Sequence, residues 1–313
     1  FAALAGRLRG AVAARVARAK RRDFWRWAFK DAPIALHKRG AEREAAKLLR
    51  TAIEAGGAPG GQAEGHIALV GAGPGARDLL TLRAVERLQE ADVIFYDRLV
   101  EEDVLELARR DAERVFVGKA VGASKWPQDR INAMIVAEAR KGRRVVRLKS
   151  GDPTIFGRAT EELEAAEAAG IPCEIVPGIT AAAGAAARMG QSLTERGTTD
   201  TLVLTTGRCQ PGDSAPDWAS HARPGTSFAF YMSVRSAPEI QATLLRAGWP
   251  STSPVTIAAD VTKAEEQIVS CPLSHLPHSL KDHGVSGCAV LMLRWPKLAE
   301  AQSAPTPVAR AVA

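Results

Sequence analysis

From residue 66 onward, short apolar runs alternate with segments whose apolar residues recur at helical spacing, and this alternation limits the possible fold more than any other feature. The apolar runs at residues 67–70, 93–96, 115–117, 145–148 and 174–176 are predicted strands. Strands that alternate with helices in this way form a parallel sheet with helices on both faces. The pattern therefore predicts an α/β fold.

Turn-forming and capping residues mark the helix ends in this region. Asp78 is predicted to cap a helix that carries Leu79, Leu82, Val85 and Leu88, while Pro127 opens a later helix and Gly142 closes it. A second α/β region follows, with a helix from Pro238 to Ala247 that ends at Gly248. Its predicted strands are residues 201–205, 227–231, 255–258 and 289–294.

The two ends of the chain differ from this α/β part. Residues 1–55 have a helical pattern, with a second helix predicted from Ile34 to Ile53, and the glycine-rich residues 56–61 are typical of a linker. Residues 298–313 are rich in Ala and Pro and are predicted to be disordered. We therefore predict five segments: helices at 1–57, a linker at 58–65, α/β domains at 66–180 and 181–297, and a tail at 298–313.

Charge and cysteine content narrow the range of partners. The net charge of +7 arises in residues 1–55, which carry +9, whereas the rest of the chain carries −2. No RNA-recognition motif or zinc finger accompanies the basic segment, so we expect no nucleic-acid partner. The sequence has no apolar run long enough to span a bilayer, and its four cysteines form no Cys-x-x-Cys pair. We expect a cytoplasmic protein with free thiols and no membrane partner.

A glycine loop at residues 71–76 follows the first predicted strand and fits the pattern G-x-G-x-x-A. This pattern is typical of dinucleotide-binding folds, in which Asp92 or Asp97 would bind the ribose. However, Pro74 has no backbone N–H to offer a pyrophosphate, and Asp78 is placed where an anion would otherwise bind. A ligand without a pyrophosphate fits the loop better, and S-adenosylmethionine is such a ligand.

Ten segments, the glycine loop among them, occur in an order and spacing that make the chain resemble the tetrapyrrole methylase family, and within it the uroporphyrinogen-III C-methyltransferases. The resemblance covers residues 66–296. The matching segments are residues 70–75 (Val-Gly-Ala-Gly-Pro-Gly), 80–82, 96–100 (Tyr-Asp-Arg-Leu-Val), 117–119 (Val-Gly-Lys), 127–128, 147–149 (Arg-Leu-Lys), 151–153 (Gly-Asp-Pro), 155–158 (Ile-Phe-Gly-Arg), 161–162 and 176–182 (Val-Pro-Gly-Ile-Thr-Ala-Ala).

The resemblance implies two α/β domains, with S-adenosylmethionine bound in the cleft between them and a short helical segment in front. It assigns acid–base roles to Asp97 and Lys119. The positions that it implies for the methyl donor are Pro74, Gly151, Asp152, Ile155, Thr180, Ala181 and Met232.

The acceptor implied by the resemblance is an electron-rich pyrrole carbon of a tetrapyrrole with eight carboxylates. Alkylation makes a cation that a carboxylate such as Asp97 can stabilise or deprotonate. Basic side chains suit the acceptor carboxylates. Besides Lys119, the candidates are Arg98, Arg130, Lys149, Arg158 and Arg196. We expect no metal site, because the histidines are scattered and Pro277 places His275 and His278 in a predicted loop.

Several positions depart from the family pattern and leave the substrate details and the retention of activity open. They are Ser124, Lys125, Ser150, Thr154, Ala159, Thr160, Glu195 and residues 259–261. Two alternatives remain: a dinucleotide-dependent dehydrogenase, and a methylase fold without activity that serves as an assembly module. The number of methyl transfers and the choice between siroheme and cobalamin synthesis are not determined by the sequence.

The basic segment around residues 21–25 resembles the dimerisation helices that precede the methylase in siroheme synthases. The upstream NAD-binding domain of those proteins is not part of this sequence, and the start at Phe1 is consistent with truncation. The aromatic cluster of Phe24, Trp25, Trp27 and Phe29 exceeds what so short a segment is expected to bury alone. The cluster is expected to pack on the methylase domain, on a partner chain or on the upstream domain. The resemblance favours a partner chain, so we expect a homodimer.

Overall fold

A cluster of buried apolar side chains holds four helices together at the N-terminus of the computed structural model, which describes residues 1–59, 65–118, 126–207 and 216–297. The chain divides into two compact units with the boundary after residue 64. We call them the N-terminal unit and the C-terminal unit. Lys119, part of the predicted linker and the predicted tail lie outside the described residues.

The N-terminal unit consists of α1 (Ala2–Arg15), α2 (Arg18–Lys30), α3 (Ala32–Lys38) and α4 (Glu42–Glu54). The single helix predicted from Ile34 to Ile53 is wrong, because Gly40 adopts a φ of +82° and separates α3 from α4. Phe24 is fully buried in the unit's own core, whereas Phe29 is 47% exposed. Four helices thus bury more of the aromatic cluster than we expected.

The first sheet of the C-terminal unit is entirely parallel, as the alternation of strands and helices predicted. It contains β1 (His66–Gly71), β2 (Val93–Tyr96), β3 (Glu113–Phe116), β4 (Arg144–Lys149) and β5 (Cys173–Val176), in the order β3-β2-β4-β1-β5. Apolar clusters cover both of its faces. The associated helices are α5 (Leu82–Glu90), α6 (Glu102–Leu105), α7 (Gln128–Arg140), α8 (Ala159–Ala168) and α9 (Ala181–Met189).

The start of α5 corrects a sequence-based prediction. Asp78 does not cap this helix but lies in a short 3₁₀ helix, Arg77–Leu79. The cap is Thr81, whose hydroxyl accepts a hydrogen bond of 3.1 Å from the backbone N–H of Ala84. The predicted helix from Pro127 is α7, which has Pro127 as its N-cap and is followed by Gly142 with a φ of +78°.

The second sheet is mixed. Its strands are β6 (Thr201–Thr206), β7 (Thr226–Tyr231), β8 (Pro254–Ala259), β9 (Gln267–Pro272) and β10 (Ala289–Trp295), in the order β6-β7-β10-β8-β9. The pair β6–β7 is parallel, and the other pairs are antiparallel. The sequence did not predict β9, an edge strand whose Ile268 is 39% exposed. The helices that accompany the second sheet are α10 (Trp218–His221), α11 (Ala237–Arg246) and α12 (Leu276–Asp282).

The predicted loop at His275 and His278 is also wrong. Pro277 lies in the first turn of α12, where proline is well tolerated because its missing N–H would have no helical partner. The two imidazole rings stack with their centroids 5.1 Å apart. The strands of the first sheet all precede residue 180, and those of the second sheet all follow it. The division into two domains at this residue stays a prediction.

Candidate active site

A cavity of about 830 Å³ lies at the carboxyl ends of strands from both sheets. Loops after β1, β2, β4 and β5 form one wall, which we call the first-sheet side. Loops after β7 and β8 form much of the other, the second-sheet side. Carboxyl strand ends are where open α/β sheets bind ligands. Another cavity, of about 750 Å³, lies in the N-terminal unit, and none of the predicted site residues lines it.

All seven residues predicted to bind the methyl donor line the cavity at the strand ends. Asp97 lines it as well, at the end of β2. The structure thus brings together residues from five separate sequence segments. The seven are Pro74, Gly151, Asp152, Ile155, Thr180, Ala181 and Met232.

Three glycines on the first-sheet side allow neighbouring backbones to touch. A Cβ atom on Gly71 would lie 2.6 Å from the Cα atom of Gly178, and one on Gly178 would lie 2.2 Å from the carbonyl oxygen of Gly151. The loops are also joined by backbone hydrogen bonds: Gly151 N–H donates to Gly73 at 2.7 Å, and Gly73 N–H donates to Gly151 at 3.2 Å. The glycine loop is therefore fixed to the neighbouring strand ends.

Pro74 fills a gap between this loop and α9. It is buried, and a Cβ atom on Gly184 of α9 would lie 2.9 Å from its Cγ atom. The loop does not lead into a helix as a dinucleotide loop does, because α5 begins only at Leu82. The glycine loop therefore brings no α-helix N-terminus of its own to a pyrophosphate, and Asp92 lies at the opposite, amino end of β2.

Two side chains connect the loops around the donor-site residues. The Asp152 carboxylate accepts hydrogen bonds from the N–H groups of Thr154 at 2.7 Å and Gly178 at 2.9 Å. Thr180 caps α9, and its hydroxyl also bonds to that of Tyr231, which in turn accepts from Ala182 N–H at 3.1 Å. Because Thr180 precedes the second sheet and Tyr231 lies in it, this contact joins the two sides of the cavity.

Backbone strain is concentrated at the cavity. Five non-glycine residues within the described parts of the chain have a positive φ, and all five line the cavity or adjoin its lining. Met232, with a φ of 53°, is 50% exposed, and Phe156, with a φ of 52°, is 41% exposed. Such conformations carry a cost that usually persists at binding sites. Apolar side chains this exposed in a concave wall indicate a surface that a ligand covers.

Asp97 is held in place by two contacts. One carboxylate oxygen accepts a hydrogen bond of 3.1 Å from the N–H of Leu99, and the other lies 3.5 Å from Arg147 Nη2. The side chain of Asp97 remains 29% exposed, and it faces the cavity. It is thus oriented by the protein and still accessible to a substrate.

Behind Asp97 lies a buried group of charges that the sequence analysis did not identify. The Glu162 carboxylate, 1% exposed, accepts from Arg147 Nε at 3.0 Å and from Lys149 Nζ at 2.6 Å. Burial lowers the pKa of Lys149, and the Glu162 carboxylate opposes that shift. Arg147 and Lys149 alternate along β4 and therefore point to one face, which is the signal that could have revealed the pair.

The predicted acceptor-binding residues separate into two groups. Arg98, Lys149 and Arg158 line the cavity, but Lys149 is paired with Glu162 and Arg158 with Glu161. Arg130, whose guanidinium lies 4.4 Å from the ring of Trp126, and Arg196 are exposed and do not line the cavity.

Further residues of the second-sheet side were missed by the sequence analysis. Lys263 reaches the first-sheet side, where its ammonium lies 2.6 Å from Glu101 and 3.3 Å from the carbonyl oxygen of Leu99. Burial raises the pKa of the Cys288 thiol, and the Asp260 carboxylate raises it further. No motif marks these positions, and only their place after β8 or before β10 could have indicated them.

Comparison with known proteins decides the family. The family of tetrapyrrole (corrin/porphyrin) methylases matches residues 66–277. The chain belongs to the tetrapyrrole methylase family. A sirohaem synthase dimerisation region matches residues 1–53. Both resemblances and the α/β methylase fold inferred from the sequence are confirmed.

Relatives of this methylase are longer proteins. The chain is 45% identical to siroheme synthase 1 of Serratia proteamaculans over 88% of its own length and 58% of that protein. It is 41% identical to siroheme synthase of Methylococcus capsulatus, again covering 58% of the relative. The methylase thus spans less than two thirds of the curated relatives that it matches.

Solved structures of similar methylases cover about three quarters of the chain. Uroporphyrin III C-methyltransferase from Thermus thermophilus is 34% identical, with a TM-score of 0.63, and the match covers 74% of this chain and 92% of the other. A structure of that protein complexed with S-adenyl homocysteine gives a TM-score of 0.62. A cobalt precorrin-4 methyltransferase is 28% identical, with a TM-score of 0.65.

These findings give no support to the dehydrogenase alternative, which rested on the glycine loop. Among the described residues, no group of three or more His, Cys, Asp or Glu side chains could hold a metal ion. Across the same ranges, no helix has both the length and the apolarity to cross a membrane.

Proposed function

We propose that this methylase transfers methyl groups from S-adenosylmethionine to carbon atoms of uroporphyrinogen III, giving precorrin-2 for siroheme or cobalamin synthesis. The observation that carries the proposal is the meeting of all seven expected donor-site residues and Asp97 in one cavity. The 34% identity to a uroporphyrin III C-methyltransferase supports the choice of acceptor.

The cavity suits the donor in shape and chemistry. Its volume lies within the range of about 300–1,000 Å³ that is typical of small-molecule sites. Thr180 and Asp152 present polar groups in a lining that also contains the exposed apolar side chains of Met232 and Phe156. The interlocked glycines keep the loops after β1, β4 and β5 in fixed positions, so that little ordering is required when the donor binds.

In this proposal Asp97 acts on the methylated acceptor. When bound, the donor supplies a methyl group on a sulfonium. The acceptor carbon bonds to the methyl carbon as the bond from that carbon to sulfur breaks, and the bonding electron pair leaves on sulfur. The acceptor is then cationic and must lose a proton. The Asp97 carboxylate stabilises this cation or accepts the proton, and Arg147 and Leu99 N–H hold it in position.

The remaining assignments follow the family pattern. Lys119 is proposed as the second acid–base residue, and Arg98 and Arg158 as acceptor-binding residues. We further propose a cytoplasmic homodimer formed through the N-terminal unit, because that unit matches a dimerisation region. Sedimentation of the full chain is expected to show a dimer, and a monomer at micromolar concentration would contradict this part.

Donor binding is tested by calorimetry and thermal unfolding. S-adenosylhomocysteine should bind and raise the melting temperature, because a ligand that binds only the folded state adds RT ln(1 + [L]/Kd) to stability. NAD should do neither. If S-adenosylhomocysteine causes no shift at millimolar concentration, the proposed donor is wrong. Donor binding without methyl transfer would favour the inactive assembly module.

A further inference from the structure

Arg235 is a cavity residue to which neither the sequence motifs nor the family resemblance assigned a role. It lies in the turn after β7, three residues beyond Met232, and lines the cavity. Its side chain is exposed, and the turn that carries it leads directly into α11. Arg235 therefore contributes to the wall of the cavity in which the acceptor is proposed to bind.

The turn that carries Arg235 is well fixed. Ser233, fully buried, donates from its hydroxyl to the carbonyl oxygen of Tyr231 at 2.7 Å, and Ser236 N–H donates to the carbonyl oxygen of Ser233 at 3.1 Å. Gly207 N–H also donates to Tyr231 at 3.0 Å, and the Ser236 hydroxyl donates to the Gly207 carbonyl. The position of Arg235 at the cavity is therefore set by the backbone.

Most basic groups around the cavity already have a carboxylate partner. Arg147 and Lys149 pair with Glu162. Arg158 pairs with Glu161, and Lys263 pairs with Glu101. Within the described parts of the chain, the guanidinium groups of Arg98 and Arg235 alone among these cavity cations form no ion pair or hydrogen bond. They are the two cations left available for an anionic ligand.

These two arginines come from opposite walls. Arg98 follows β2 on the first-sheet side, and Arg235 follows β7 on the second-sheet side. Arginine is well suited to carboxylates because its planar guanidinium offers two parallel N–H donors. An acceptor that carries carboxylates around a macrocycle could contact both walls at once.

We infer that Arg235 binds a carboxylate of the acceptor and, together with Arg98, holds the acceptor from both sheets. This inference rests on the proposed function, because it takes the acceptor to be a polycarboxylate tetrapyrrole. It adds a binding residue on the second-sheet side, where the sequence indicated no acceptor contact apart from the exposed Arg196.

The test replaces Arg235 by glutamine and uses Arg223→Gln as the matched control. Arg223 is an exposed arginine between α10 and β7 that does not line the cavity, so its loss removes the same charge from the same sheet region. In Arg235→Gln, the KM for uroporphyrinogen III should rise about 10-fold, as expected for one lost charged hydrogen bond. The kcat and the Kd for S-adenosylhomocysteine should match those of Arg223→Gln.

A binding measurement separates this inference from the proposed function. Uroporphyrin III, the oxidised probe with eight carboxylates, is titrated against the full chain by absorbance. Weaker binding to Arg235→Gln than to Arg223→Gln supports the inference even if the chain transfers no methyl group. Equal binding and equal KM in the two variants would overturn it. Absence of methyl transfer in the unmodified chain would refute the proposed function alone.

Discussion

The two sides of the cavity are built differently. On the first-sheet side, the backbones of Gly71, Gly151 and Gly178 are in close contact. The buried Glu162 carboxylate pairs there with Arg147, which also contacts Asp97. On the second-sheet side, the lining includes Met232, which is 50% exposed, and Gly287, where an added Cβ atom would meet nothing within 4 Å, whereas positive φ occurs on both sides. The difference indicates a rigid wall that carries Asp97 and six of the seven expected donor-site residues, and a more open wall that carries Met232.

The largest expected effect is the loss of kcat when Asp97 is replaced, compared with the replacement of Asp260 on the second-sheet side. Asp97→Asn should lower kcat by roughly 10²–10⁴-fold, the usual contribution of a positioned acid–base group, with little change in the Kd for S-adenosylhomocysteine. Asp260→Asn on the opposite wall should lower kcat by less than about 10-fold, since Asp260 has no assigned acid–base role. An Asp97→Asn variant as active as the unmodified chain would show that Asp97 only stabilises its turn.

A smaller effect is expected from a matched pair of glycines. Gly178→Ala places a Cβ atom 2.2 Å from a backbone oxygen, whereas Gly287→Ala on the second-sheet side meets nothing within 4 Å. We expect Gly178→Ala to lower the free energy of unfolding by about 3 kcal/mol, as overpacking against a backbone does, and Gly287→Ala to change it by less than about 0.5 kcal/mol. Urea denaturation measures both. Equal effects would remove the distinction between a rigid and an open wall.

The same contrast explains what the sequence could predict. The first-sheet side is made of contiguous motifs such as Gly-Asp-Pro, because each loop must fit closely against the next strand end. Those motifs identified Asp97, Gly151 and Asp152. The parallel strands also gave apolar runs, so all five strands of the first sheet were predicted, including the exposed edge strand β3.

The rest depended on contacts that no local pattern records. β9 was missed because its apolar run is only two residues long, Ile268 and Val269. The partners of Glu162 lie 13 and 15 residues away along the chain, and Arg235 lies in the same cavity as Asp97 although 138 residues separate the two in the sequence. Lys149 looked like an acceptor-binding residue in the sequence, whereas the structure pairs its ammonium with a buried carboxylate.

The central claim is the methylation of uroporphyrinogen III, and it is tested by incubating the full chain with methyl-labelled S-adenosylmethionine and freshly reduced uroporphyrinogen III under anaerobic conditions. The account predicts label in a tetrapyrrole of the mass of precorrin-2, formed together with S-adenosylhomocysteine, and its loss in Asp97→Asn. A chain that binds S-adenosylhomocysteine but leaves the tetrapyrrole unlabelled would contradict the account.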